Sequence, residues 1–374
     1  MSDRYNNFFL NGSLLPSTES DKKNFSFDLI PNNLIDNIIV SKTSSPDMPA
    51  DFAGGIIQVN TKEIPDKNTF FISAGTGYNT NSTGKDFKST KISRQEYFGD
   101  VNNQLKWFDR KNPERRELLN FSSLYTPGSD QAVAVADLIR KADNWKFYNY
   151  TAMPTQSYQV SVGLRKRFSN SRSLGAYVAG TYRNQQSIED YFRGSVLTDS
   201  TSGKQFELNT NLSGLASIAF NTGRSKFISN SLVSRTFSHY NNIFSGLNNN
   251  NEAVITYGNL FEATTLMQTR LEGEHVAGQK NIRVNWSGDL SQINRDQPDS
   301  RFIDNQKISN LGAPFSSSHP FLPNIYEHNR TSNVGIFSSA LKETRKGLAA
   351  NITVPFSIKD KNQSVKFGYL LNKR

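Results

Sequence analysis

The chain has 374 residues, no cysteine and a formal net charge of +10. Without cysteine there is no disulfide and no thiolate zinc site. Phe and Tyr are abundant (26 and 14), Met is scarce (4), and Asn, Ser, Thr and Gly cluster as at Asn248 to Asn251, a balance that suits pleated strands and turns rather than a helical or α/β enzyme. The cations are dispersed, several at turn positions (Lys166, Arg167, Arg172, Arg224, Lys226, Lys280, Lys359, Lys361), with no basic helix or RNA-binding signature. Their pattern suits a solvated or membrane-interface rim and excludes nucleic acid as the expected partner. No apolar run approaches the roughly eighteen residues a membrane helix needs. A membrane barrel escapes that test, because only alternate residues of its strands meet lipid.

In chain order, residues 1–5 have neither a basic n-region nor an apolar h-region, so Met1 reads as an internal methionine of a longer parent. Asn11-Gly12 between apolar neighbours predicts a hairpin over Phe8 to Leu15. Pro31 stands at a first helical position and predicts a short helix. Strands follow at 38–42 and, after Gly54-Gly55, at 56–62. From 69 onward the pattern is period two. Tyr158, Val160, Val162 and Leu164 oppose Gln159, Ser161 and Arg165. The same alternation recurs over 174–183, 206–220, 282–290, 348–356 and 364–372, whereas 226–238 is less regular. The predicted turns at 169–173, 222–225, 278–281 and 359–363 are short. The predicted connections at 80–156, 186–204, 239–257 and 294–340 are long, the first holding a helix at 129–143 capped by Ser129 or Asp130.

Short and long connections alternate throughout, which is the rhythm of an outer-membrane barrel. A soluble sandwich connects its strands more evenly. The apolar face would then meet lipid, and Gln159, Arg165, Arg183, Glu207, Gln268, Arg270, Glu272, Arg283 and Asp289 would face the lumen.

Leu10-Asn11-Gly12, then Ile30-Pro31 to Ile35, then Gly54-Gly55-Ile56 to Thr61-Lys62 resemble, in this order, the carboxy-terminal half of the plug of TonB-dependent outer-membrane receptors. The expected fold is therefore all-β: a partial α/β plug over 1–65, then about nine strands of a transmembrane antiparallel barrel over 66–374. The resemblance implies a fragment lacking the TonB-contacting box, the first half of the plug and most of the barrel. It also implies an outer-membrane location, lipid contact, energy from a TonB-type complex through the missing part, and uptake of a large scarce solute such as an iron chelate, cobalamin or glycan. Asn11, Gly12, Pro31, Gly54, Gly55, Thr61 and Lys62 would be the structural motif of the plug.

Arg4, Asp47 and Asp51 are candidate ligand contacts on plug loops, although turn formation also accounts for them. The four histidines lack metal-ligand spacing, and neither a phosphate-binding, dinucleotide nor nucleophile-elbow motif is present. No enzyme, metal or cofactor is expected. The other function classes in view are a surface β-sandwich that binds a ligand and a passive porin-like barrel.

Overall fold

A computed structural model describes residues 6–18, 25–26, 29–42, 55–62, 64–100, 146–169, 171–195, 199–247, 253–307, 321–323, 334–358 and 361–374. The fold is all-β and consists of three sheets.

The first is a small mixed sheet of β1 (Asn6–Leu10), β2 (Ser13–Leu14), β3 (Ile35–Ser41) and β4 (Gly55–Thr61), in the order β2-β1-β4-β3. Asn11 and Gly12 close the β1–β2 hairpin with φ of 50° and 79°. That is the pair of left-handed residues a two-residue turn demands, and the reason the chain has Asn-Gly there. Where a short helix was expected, Asn32–Leu34 forms a single 3-10 turn, with Pro31 before it rather than inside it. Pro31 lies at φ −59° and ψ 132°, an extended conformation that starts no α-helix, and β3 follows at once.

The second sheet is antiparallel and much larger. It comprises β5 (Thr69–Gly77), β8 (Thr155–Arg167), β9 (Ser173–Ser195), β10 (Asp199–Asn221), β11 (Ser225–Leu247), β12 (Ala253–Ala277), β13 (Ile282–Lys307), β15 (Val334–Ile358) and β16 (Lys361–Lys373), each paired to the next. The short β14 (Phe321–Pro323) pairs beside β13. The third sheet is the hairpin of β6 (Asp86–Ser89) with β7 (Tyr148–Thr151). Among the described residues no helix is long and apolar enough to cross a membrane, which has no bearing on strands.

Nine long strands match the expectation, but they run further than the alternation indicated. In two connections expected to be long, 186–204 and 239–257, every described residue is strand. β13 likewise continues to Lys307. Polar residues obscured these ends, because a strand whose two faces are both polar has no period to read. The predicted helix at 129–143 lies outside the described residues.

The small sheet lies against one face of the large one, here the inner face. Leu10, Leu34 and Val59 form a single apolar core with Tyr177, Leu215, Leu232, Leu266 and Ile293, drawn from five consecutive strands. The register places all nine predicted luminal residues on this face, with Arg183 opposite Asn211 and Arg270 opposite Asp289. Gln268 Nε2 donates to Leu10 O at 3.2 Å and Arg270 Nη1 to Ser13 Oγ at 3.1 Å. The outer face near the short turns is apolar and exposed. Val178 and Ile218 are 57% and 55% exposed, as are Val160, Leu271, Leu290 and Ile352 to similar degrees.

The segment leaving the small sheet crosses the inner face at two glycines. A Cβ on Gly163 would fall inside Pro65, and one on Gly175 inside Ile64. A Gly175→Val variant should therefore lose about 1–3 kcal/mol to overpacking. Urea unfolding of the single variant and of the Gly175→Val/Ile64→Ala pair checks this, with the second substitution recovering most of the loss.

Candidate functional site

The three sequence words of the amino-terminal region meet in space. Asn11 Nδ2 donates to Thr61 Oγ1 at 3.0 Å, and Thr61 N donates to Asn11 Oδ1 at 2.8 Å. Lys62 N donates to Leu34 O at 2.9 Å, which ties the end of β4 to the turn after Pro31. Gly55 opens β4 opposite Asn6. Arg4, Asp47, Asp51 and Gly54 lie outside the described residues.

The small sheet separates two polar cavities on the inner face. One, of about 780 Å³, lies towards the long connections and is floored by Leu29 to Asn32. Its wall carries Arg183, Glu207, Tyr240, Glu262 and Arg295. Arg295 grips Glu262 with both Nε and Nη2, at 3.1 and 3.0 Å, and Gln297 donates to the same carboxylate at 2.9 Å. The second cavity, of about 610 Å³, lies towards the short turns, bounded by Asn11, Thr61 and Lys62 and by Arg165, Arg270 and Glu272 of the large sheet. Donors and acceptors of both signs, with tyrosines among them, equip the first cavity for a polar solute held by several hydrogen bonds. The apolar core lies between it and the second.

A further polar cluster, on the outer face, escaped the sequence reading. Residues 82–99 fold back over the outer face at the end of the long connections. Phe206 and Leu208, read as lipid-facing, are on the outer side but covered by Phe87, at 3% and 0% exposure. Beneath this strap His239 places Nδ1 2.8 Å from Glu96 Oε2, and Nε2 2.7 Å from Asn259 Oδ1. Thr90 Oγ1 lies 3.0 Å from the same Nε2, and Thr90 N donates to Asn241. Ser93 N donates to the other oxygen of Glu96 at 2.7 Å, and the His239 ring stacks on Phe261 with centroids 4.0 Å apart. At the strap's end Arg235 donates to Gly99 O and pairs with Asp100 at 3.3 Å. Burial, then the neighbouring Glu96, pushes the Tyr97 phenol above its ordinary range.

This explains why 226–238 alternates poorly. Its outer face ends on Arg235 and Phe237 and runs on to His239 and Asn241, and Arg235, His239 and Asn241 meet the strap rather than an apolar medium. The polar outer positions 235, 239 and 241, two or four apart, were the available signal, and 239 and 241 fell in the connection expected at 239–257.

No protein-family model matches the chain, and no curated protein matches it. Solved structures that resemble it include the following three. The RagAB peptide importer in its "open-open" state gives a TM-score of 0.35 at 11% identity, over 97% of this chain and 48% of that one. The outer membrane transporter YddB from Escherichia coli gives 0.26 at 9%, over 99% and 49%. The siderophore receptor PirA from Pseudomonas aeruginosa gives 0.23 at 11%, over 99% and 78%. The chain spans about half the length of the first two.

Removing the imidazole should leave Glu96 buried without its partner, at a cost to strap docking of about 3–5 kcal/mol. In a His239→Ala variant, hydrogen exchange at the amides of residues 82–99 should accelerate, with β15 and β16 unchanged.

Proposed function

We infer that this chain is part of a plugged outer-membrane transporter that takes up a large polar solute without altering it chemically. The supporting observation is the division of the inner face into two polar cavities by the small sheet, on a strand sheet whose outer face is apolar. In lipid that inversion of faces is the stable one. The small sheet acts as the carboxy-terminal half of a plug. The larger cavity receives the solute, and displacement of the plug connects it to the second.

Among the described residues the large sheet ends in β5 and β16, each paired on one side only. Unpaired strand edges are expensive in hydrocarbon, so closure takes further strands, supplied by a longer polypeptide of which these residues are a piece. On this reading the location is the bacterial outer membrane. The resemblance of the plug words adds an energy-transducing complex of the TonB type, acting through a part of the plug that precedes this one. A peptide, an iron chelate, cobalamin and a glycan are all solutes of suitable size and polarity.

Planar-bilayer recording on the closed barrel separates the readings. The intact protein should be nearly silent, and removal of residues 1–65 should open a steady ohmic pore. An equally open pore with residues 1–65 in place would mean a passive porin. A protein found in the soluble fraction and inert in bilayers would mean a β-sandwich module.

A further inference from the structure

The outer-membrane reading leaves one feature unused: the charge of the short-turn end. Cross-strand register sets the first two tips level, since Ser173 pairs with Asn221, and the third close to them, since Ser225 pairs with His275. Around these tips Lys166, Arg167, Arg172, Arg224 and Lys280 are all exposed. The stretches 166–173, 221–226 and 277–283 contain no Asp or Glu. None of the five has a carboxylate partner among the described residues; Lys166 instead lies over the Phe168 ring at 5.5 Å. The nearest acidic groups, Glu274 opposite Lys226 and Asp66 paired with Arg165, stand on the inner face.

The opposite end differs. There exposed charges are of both signs and partly paired, as Lys204 with Asp190 at 3.4 Å. Just inside the cationic tips runs a belt of half-exposed outward rings, Phe168, Phe220, Phe227 and Trp286. It is braced by the Phe227–Trp286 contact and by Trp286 Nε1 donating to His275 Nε2 at 3.0 Å. Aromatic rings of this kind sit at headgroup level. Cations one step beyond them lie where lipid phosphates are, and an anionic surface attracts each of them.

We propose that this rim is a docking surface for anionic phospholipid headgroups of the leaflet at the short-turn end. It rests on the membrane reading, and it makes the two ends of the sheet chemically distinct: one edge selects negative lipid and so helps fix orientation and depth. A phosphodiester headgroup with net negative charge fits the rim, whereas a zwitterionic one offsets the attraction with its own cation.

The test is to place the closed barrel in bilayer discs of equal phosphatidylcholine and phosphatidylglycerol, strip them with mild detergent, and weigh the retained lipid by mass spectrometry. Wild type should retain phosphatidylglycerol in excess, and high salt should erase the excess by screening. An Arg172→Gln/Arg224→Gln/Lys280→Gln variant should fall to parity, while Lys85→Gln/Lys88→Gln/Lys91→Gln at the other end keeps the wild-type ratio. Equal retention by wild type, or an excess that survives high salt, would overturn the proposal and leave the rim to an acidic protein partner. An equal loss in the second variant would overturn it as well. Failure to enter discs of any composition would instead reject the membrane reading, and this inference with it. The salt experiment needs no variant, so a misfolded triple substitution leaves the question decidable.

Discussion

Backbone pairing is the constraint from which the rest follows. A strand in a non-aqueous medium must give every N–H and C=O a neighbour, because an unpaired group there costs several kcal/mol. In this chain the antiparallel ladder does so for the strands between β5 and β16, with register shifts between Leu260 and Ala263 and between Gln297 and Ser300. Once the ladder is fixed, side chains have only two directions. Outward near the short turns they are Val, Ile, Leu and aromatic; inward they are Gln, Arg, Glu and Asp, answered by hydrogen bonds from the small sheet. On the proposed outer-membrane reading this is the expected distribution.

Strand length supplies the second layer. Roughly 9–11 tilted residues cross a bilayer, yet β9 to β13 are 23–26 residues long. Their outer faces therefore change character along their length. Near the turns β10 shows Ile218 and Phe220 bare, and near the long connections it shows Phe206 and Leu208 beneath the strap. The strap brings its own polar partners, and so His239 and Asn241 stand on the outer face without a desolvation penalty left unmet.

Much of this was legible in the sequence. Alternation identified six of the nine strands and their faces, because a half-buried strand exposes its period directly, and 226–238 was placed by position alone. Asn11-Gly12 announced a left-handed turn, and the pairing of Asn11 with Thr61 gives the separate words of the amino-terminal region a common geometry. What remained hidden depends on contacts between residues far apart. Nothing local marks Glu96 as the partner of His239, 143 positions away, or Gly175 as the seat of Ile64. The cavity wall was legible only as a polar face; that Arg295 grips Glu262 there follows from register, which pairs Thr264 with Arg295.

The central claim is that β10 has one lipid-facing side, one plug-facing side, and a strap over its outer loop-side end. Spin labels on single cysteines tests it directly, since the chain has no cysteine of its own. With the closed barrel in bilayers, labels at Ala216, Ile218 and Phe220 should relax with oxygen and not with a water-soluble nickel chelate. Labels at Leu215 and Ser217 should respond to neither, and nor should labels at Phe206 and Leu208. Access of the chelate to 216, 218 and 220, with no preference for oxygen, would contradict the account.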